Sequence, residues 1–179
     1  MNHHSKRNNP NGLVVFSHGK ESGPNGSKIT AMRKKAEELG FDTESIDYTD
    51  CKDEHERVSI LNSYLSKQQG DIILVGSSMG GYVSATAANH NDLLGMFLLC
   101  PAVYHYEFAS QLYNPKTSNI AVVHGWEDDI IDYQSSVKFA REFDAKLLLL
   151  KDGHRLKNVL PDIVSWFALF LSDCVSTRD

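Results

Sequence analysis

A serine between two glycines lies where an apolar run gives way to a segment of small residues. Residues 71–76 are mostly apolar, Gly76-Ser-Ser-Met-Gly80 overlaps their end, and residues 81–88 are mostly small. The pattern Gly-x-Ser-x-Gly between a strand and a helix is typical of a nucleophile elbow, a tight turn that exposes one serine hydroxyl at the edge of a sheet. Glycine suits positions 76 and 80 because a Cβ there would clash with the other arm of the turn. We therefore predict that Ser78 is a nucleophile.

A serine hydroxyl at neutral pH is a weak nucleophile, so it needs a base within hydrogen-bond reach, usually a histidine that a carboxylate orients. His154 follows the last predicted strand, and Gly153 before it favours a turn that brings the ring back over the sheet, so we predict His154 as the base. His18 and His124 each precede a glycine at the end of a strand, and we interpret both as rings that fasten their own loops to backbone groups. His105 lies in an aromatic loop and is interpreted as a lining residue.

The acid is expected after the strand that precedes the last one. Residues 125–132 offer four carboxylates there: Glu127, Asp128, Asp129 and Asp132. A carboxylate three residues after the glycine selects Asp128, with Asp129 as the alternative, and the remaining acidic side chains are interpreted as part of a solvated loop. The resulting order along the chain, serine, aspartate, histidine, is that of the α/β-hydrolase fold and differs from the orders in chymotrypsin and subtilisin.

Two backbone N–H groups are expected to stabilise the negative charge that develops on an attacked carbonyl oxygen. One belongs to Met79, directly after the nucleophile and at the positive end of the predicted helix. The other is expected in the loop after the first strand, where Gly19 lets the backbone approach a substrate closely, and we assign it to Lys20. The Lys20 side chain at the mouth of the site also predicts a preference for esters with an anionic leaving portion.

Strands and helices alternate along the predicted structure, and this alternation positions the residues above. It predicts a three-layer α/β sandwich with a six-stranded, mostly parallel sheet, in which ligands bind at the carboxyl ends of the strands. We expect residues 1–12 to form a disordered tail and residues 13–179 a single domain. The predicted strands cover residues 13–17, 41–47, 71–76, 94–100, 120–124 and 146–150, and the predicted helices cover residues 25–39, 58–68, 79–89, 133–143 and 159–171.

Composition narrows the classes of function. The chain of 179 residues has a formal net charge of -5 and no basic stripe, so neither nucleic acid nor an anionic membrane surface is expected as a partner. The N-terminal residues lack the apolar core of a secretory signal, and three scattered cysteines without ligand spacing are typical of a reducing cytosol. We expect a cytoplasmic protein that acts on a small-molecule ester without a metal or organic cofactor; the oligomeric state is left open.

From about Leu13 onward the chain resembles a minimal α/β-hydrolase, and within that superfamily it is similar to small YqiA-like bacterial esterases. The resemblance implies ester hydrolysis through an acyl-enzyme. Two positions depart from the usual pattern, since Lys20 replaces an apolar or aromatic residue and Ile131-Asp132 replaces valine-proline. The residues that carry the resemblance are His18-Gly19 with Ser22, Pro24, Ser27 and Lys28, the segment 76–82, Pro101-Ala-Val103, Asp132-Tyr133 and Gly153-His154.

Several alternatives to an esterase remain at this point. The segment between the fourth and fifth predicted strands is too short for a large lid, so we expect an open site that favours short or small acyl groups. A thioesterase or a small peptidase could use the same three residues, and a binding or sensor protein could keep the scaffold without turnover. A flavodoxin-like nucleotide-binding domain is less compatible, because the chain has neither Gly-x-Gly-x-x-Gly nor a Gly-Lys-Ser/Thr loop. The aromatic loop 104–113 fits either a pocket wall or a subunit contact.

Overall fold

The computed structural model describes residues 11–108 and 111–178, in which strands and helices alternate except that β4 is followed directly by β5. The predicted tail falls largely on residues 1–10, outside the described residues. The elements are β1 (Leu13–Ser17), α1 (Ser27–Glu38), β2 (Asp42–Ile46), α2 (Glu54–Leu65), β3 (Ile72–Ser77), α3 (Met79–Ala87), β4 (Gly95–Leu99), β5 (Ile120–Gly125), α4 (Tyr133–Glu142), β6 (Lys146–Leu150) and α5 (Leu160–Ser176).

The six strands form one parallel sheet in the order β2-β1-β3-β4-β5-β6. Side chains of a strand alternate between the two faces, so Val15 of β1 belongs to one apolar cluster and Phe16 to the other. Helices α2, α3 and α4 contribute to the first cluster, whereas α1 and α5 contribute to the second. The predicted three-layer α/β fold is therefore confirmed, and all strands end at one edge of the sheet.

Two helices differ from their predicted bounds by more than two residues at an end. Helix α5 continues to Ser176 because the buried Cys174 extends its apolar face by another turn. Helix α2 begins at Glu54, where the carboxylate of Asp53 caps it by accepting a hydrogen bond from the Glu56 N–H at 2.7 Å. Among the described helices, none is both long enough and apolar enough to span a lipid bilayer.

Candidate active site

Ser78 lies at a strained turn between β3 and α3. Its backbone has a φ of 56° and a ψ of -120°, a conformation that side-chain-bearing residues rarely adopt. The end of β4 holds this turn on both sides: the Ser78 N–H donates to the Leu99 carbonyl at 2.9 Å, and the Ala102 N–H donates to the Ser78 carbonyl at 3.0 Å. These two backbone bonds keep the serine at the carboxyl edge of the sheet.

The glycines of the elbow are required by close packing. A Cβ on Gly76 would lie 2.3 Å from the Gly80 carbonyl oxygen, which confirms the predicted clash with the other arm of the turn. A Cβ on Gly80 would lie 2.0 Å from the Ser17 carbonyl oxygen at the end of β1. The nearest neighbour of Gly80 is thus β1, which the prediction did not name, because α3 begins against β1 as well as against its own strand.

The three residues predicted as nucleophile, base and acid lie in one chain of hydrogen bonds. His154 Nε2 is 3.0 Å from Ser78 Oγ, and His154 Nδ1 is 2.7 Å from Asp128 Oδ2. An ionised carboxylate only accepts, so Nδ1 carries the proton and Nε2 is left to accept from the serine hydroxyl. The side chain of Asp128 is fully buried, whereas that of His154 is 15% exposed. The base thus faces solvent while its carboxylate partner does not.

Four donors converge on the Asp128 carboxylate. Oδ1 accepts from the Ile130 and Ile131 N–H groups, both at 2.9 Å, and Oδ2 accepts from His154 and from His124 Nε2 at 3.0 Å. Burial acts to raise the pKa of Asp128, but the bonds from the two histidines and the two backbone N–H groups outweigh it, and the pKa lies well below its usual range. Asp128 is consequently ionised at neutral pH.

His124 was not predicted as a partner of the acid. The prediction that it fastens its own loop is confirmed by the bond from Nε2 to the Ile131 carbonyl at 3.0 Å. Since Nε2 faces two acceptors it carries the proton, and Nδ1, at 2.7 Å, accepts from the Ser136 hydroxyl. The one available sequence signal for this contact was the spacing of four residues between His124, at the end of β5, and Asp128, in the loop that follows.

The loop that carries His154 is fixed to the loop that carries Asp128. The Glu127 N–H donates to the Asp152 carbonyl at 3.1 Å, and a Cβ on Gly125 would lie 2.2 Å from that same oxygen. The Asp152 carboxylate accepts from the N–H groups of Gly153 and Asn158, both at 2.8 Å. Burial acts to raise the pKa of Asp152, yet these backbone bonds lower it. The acid and base loops are therefore hydrogen-bonded and closely packed against each other.

Of the two residues predicted to stabilise an oxyanion, one follows Ser78 directly and the other follows a residue that packs against Ser78. Met79 is the first residue of α3, so its N–H belongs to the first turn, where helical N–H groups have no partner within the helix. Lys20 follows Gly19, whose missing Cβ position is 3.4 Å from the Ser78 Cβ. Their role in stabilising charge stays a prediction.

The other residues considered in the sequence do not join Ser78 and His154. Asp129 and Glu127 are exposed, and Asp132 caps α4 by accepting from the Gln134 N–H at 2.9 Å. His105 stacks on Tyr106 with ring centroids 4.7 Å apart. His18 fastens its loop, as predicted, with Nδ1 at 2.7 Å from the Gly19 carbonyl oxygen. Asp128 rather than Asp129 is thus the carboxylate at the histidine.

One set of described residues could bring ligand atoms to a shared cation. Cys100, His124 and Asp128 offer a sulfur, a ring nitrogen and a carboxylate oxygen within 4.8 Å of one another. However, His124 Nε2 carries a proton that it donates, and burial raises the pKa of the Cys100 thiol to about 12. A metal binds a thiolate and an unprotonated nitrogen, so it would have to displace both the thiol proton and the hydrogen that His124 donates to Asp128.

Comparison with known proteins identifies one family. Residues 13–116 match the family described as Uncharacterised protein family (UPF0227). The matched range includes Lys20 and Ser78 and ends before Asp128. No curated protein matches the sequence.

Solved structures share the fold. A protein from Xanthomonas campestris pv. campestris, described as a hydrolase of the alpha/beta superfamily, is 30% identical, with a TM-score of 0.81 over 90% of this chain and 99% of its own. Est1E from Butyrivibrio proteoclasticus is 18% identical, with a TM-score of 0.79 over 92% and 88% of the two chains. A serine hydrolase without a lid, also from Xanthomonas campestris, is 18% identical, with a TM-score of 0.67 over 91% and 82%. The last two similarities establish the fold alone.

Proposed function

The chain belongs to the family UPF0227 and has the fold of the α/β-hydrolase superfamily, and from this premise we propose that it is a serine hydrolase that cleaves carboxylic esters with short or small acyl groups. The observation that carries the proposal is the chain of hydrogen bonds from Ser78 through His154 to Asp128, at 3.0 and 2.7 Å. This arrangement supplies the nucleophile, the base and the orienting carboxylate that acyl transfer requires.

In the first half of the reaction, Ser78 Oγ attacks the acyl carbonyl carbon while its proton moves to His154 Nε2. The Met79 and Lys20 N–H groups donate to the negative oxygen of the tetrahedral intermediate. The ionised Asp128 stabilises the imidazolium and holds the ring in place. His154 then gives the proton to the alkoxide as the ester C–O bond breaks, which releases the alcohol and leaves Ser78 acylated.

In the second half, a water molecule takes the place of the alcohol. His154 Nε2 removes a proton from the water, whose oxygen attacks the acyl carbonyl carbon. The bond between Ser78 Oγ and the acyl carbon breaks, and His154 returns the proton to Oγ. The products are the carboxylic acid and the regenerated serine.

The preference for small acyl groups rests on the short connection between β4 and β5, which leaves no room for a large lid. Trp126 and Ile130, which lie close to the acid in sequence and are 53% and 61% exposed, are candidates for apolar contact with a short chain. The exposed Lys20 supports the further expectation that an anionic leaving portion is favoured. An unchanged ratio of rates on anionic and neutral esters after Lys20→Ala would remove that expectation.

The test is hydrolysis of a p-nitrophenyl ester series by the wild type, Ser78→Ala and the matched control Ser77→Ala. We expect turnover to be highest for short acyl chains, to persist in Ser77→Ala and to vanish in Ser78→Ala. A fluorophosphonate probe should label the wild type and not Ser78→Ala. Absence of both labelling and turnover in a folded wild type would overturn the proposal in favour of a binding protein. Labelling with turnover only of thioesters or amides would overturn the ester assignment.

A further inference from the structure

Two buried side chains donate to the Gly19 carbonyl oxygen, directly before the N–H that the proposed function assigns to the oxyanion. Arg57 Nη1 lies 3.3 Å from this oxygen, and His18 Nδ1 lies 2.7 Å from it. We propose that Arg57 and His18 are positioning residues that fix the Gly19–Lys20 peptide with its N–H directed at the oxyanion. This inference rests on the proposed function. It names the side chains that orient one of the two N–H groups of the oxyanion hole, formed by Met79 and Lys20.

Arg57 is fully buried and donates only to backbone carbonyls. Nη1 also contacts the His18 carbonyl at 3.1 Å, Nη2 the Tyr48 carbonyl at 3.2 Å, and Nε the Cys51 carbonyl at 2.7 Å. No carboxylate among the described residues forms an ion pair with it. Leaving a guanidinium in the interior without a carboxylate is costly, although four carbonyl contacts offset part of that cost. Joining the loop of His18 and Gly19 to the loop of Tyr48 and Cys51 would not by itself require a charged side chain.

His18 is held as one neutral tautomer. Its Nε2 accepts from the Tyr48 backbone N–H at 2.9 Å, so Nδ1 carries the proton and donates to the Gly19 carbonyl. Burial, which outweighs the opposing effect of the Gly19 bond, lowers the pKa of His18, and the Arg57 charge lowers it further. The ring therefore remains a neutral donor in the folded protein at neutral pH.

The planarity of the peptide bond turns these contacts into an orientation. In a trans peptide the C=O and the following N–H point in opposite directions, and no described peptide bond is cis. Because Arg57 and His18 fix the Gly19 carbonyl, the Lys20 N–H must point away from them. The side of Gly19 that lacks a Cβ faces Ser78 at 3.4 Å, which brings this peptide next to the nucleophile. Glycine at position 19 permits that approach.

The positive charge adds an electrostatic effect to the orientation. A guanidinium that donates to a carbonyl polarises the peptide, and polarised chains of hydrogen bonds are stronger than isolated ones. The Lys20 N–H is then a better donor to an oxyanion than an unperturbed amide. The effect grows with the negative charge on the substrate oxygen, so it acts on the tetrahedral intermediate more than on the bound ester.

The experiment compares Arg57→Met and Arg57→Lys with the wild type and with the control Tyr48→Phe. The control removes an equally buried hydrogen bond, that of the Tyr48 hydroxyl to Ser17 Oγ at 3.1 Å, and keeps both backbone contacts of Tyr48. Rates are expressed per active site titrated with a fluorophosphonate, so loss of folded protein does not count. Loss of one oxyanion donor costs about 10² to 10³ in kcat; misorientation of a donor that is still present should cost about 10- to 100-fold in Arg57→Met.

We expect that loss in kcat with KM nearly unchanged, a smaller loss in Arg57→Lys, and a normal kcat in Tyr48→Phe. An alkyl boronic acid forms an adduct with Ser78 that places an oxygen at the Met79 and Lys20 N–H groups. Its inhibition constant should rise by the same factor. Equal kcat per labelled site in all variants, or equal losses in Arg57→Met and the control, would overturn the inference.

A second pair of variants covers the case in which Arg57→Met does not fold. His18→Gln can still donate to the Gly19 carbonyl, whereas His18→Leu cannot, so the boronic acid should bind His18→Leu more weakly than His18→Gln. Equal boronic acid affinities for the two would overturn the role of His18. Failure of the proposed function is distinguishable, because the wild type would then show no turnover that depends on Ser78.

Discussion

His124 and His154 donate hydrogen bonds to the same oxygen of Asp128, at 3.0 and 2.7 Å. His124 is held in turn by the Ser136 hydroxyl, which donates to its Nδ1 at 2.7 Å. His124 thereby holds the same carboxylate oxygen that orients the base.

Asp128→Asn should remove most of the activity without unfolding the protein. An amide has a single acceptor oxygen, so it cannot accept from both the two histidines and the two backbone N–H groups, and it has no charge to stabilise an imidazolium. The equivalent change in a Ser-His-Asp triad lowers kcat by about 10⁴-fold. Steady-state hydrolysis of a p-nitrophenyl ester measures the loss. The control is Asp129→Asn, whose exposed carboxylate lies next in sequence and should leave kcat within about twofold of wild type. Similar losses in the two variants would contradict the assignment of the acid.

His124→Leu should weaken both stability and catalysis. It removes a buried donor to a charged carboxylate, a bond whose loss costs about 1.5–3 kcal/mol of unfolding free energy. Asp128 is then held less firmly, and we expect kcat to fall about tenfold, which corresponds to about 1.4 kcal/mol. Ser136→Ala, which keeps the imidazole, should show a smaller effect on both. Urea titration gives the free energy of unfolding, and ester hydrolysis gives kcat. A wild-type kcat in His124→Leu would contradict the role of His124 in holding Asp128.

Ser78→Gly should be more stable than Ser78→Ala. The φ of 56° at this position strains any residue with a Cβ by about 1–3 kcal/mol, and glycine relieves the strain at a smaller entropic cost. Both variants lack the nucleophile and should be inactive. Denaturant unfolding of the three proteins under one set of conditions measures the difference. If Ser78→Ala proved the more stable variant, the elbow would hold no strain that glycine can release.

Acidification should reduce stability in two steps. Burial holds the pKa of His18 below its ordinary value of 6.5, so below that pH the unfolded chain takes up a proton that the folded chain does not. Asp128 has a lowered pKa, so its contribution is present above the unfolded value of about 3.9 and is lost as the pH falls further.

Urea midpoints measured at intervals across this range should therefore decrease with falling pH, and His18→Gln should decrease less between about pH 6.5 and 5. A midpoint of wild type that stayed constant over that interval would contradict the assignment of a neutral His18. The comparison uses the slope with pH, since His18→Gln changes the absolute stability as well.

The sequence carried enough information to predict Ser78, His154 and Asp128, because each follows a predicted strand within a few residues and lies within three residues of a glycine that allows a tight turn. It did not reveal Arg57. A charged residue on a helix with an apolar face is expected on the solvated side, and its partners are backbone carbonyls of distant loops, which no residue type marks. The contact of His124 with Asp128 was missed for a different reason, since a histidine that fastens its own loop gave an adequate explanation of the pattern.

The fixed pairing of the acid and base loops has a consequence for a chain that emerges gradually from the ribosome. The nucleophile and the loop of Gly19 belong to the first four strands, whereas Asp128 and His154 follow β5 and β6. The Glu127 N–H finds the Asp152 carbonyl only once β6 has been added to the edge of the sheet. During synthesis the chain therefore contains its nucleophile well before it contains the base that activates it. Hydrolysis is expected to begin only after β6 has joined the sheet.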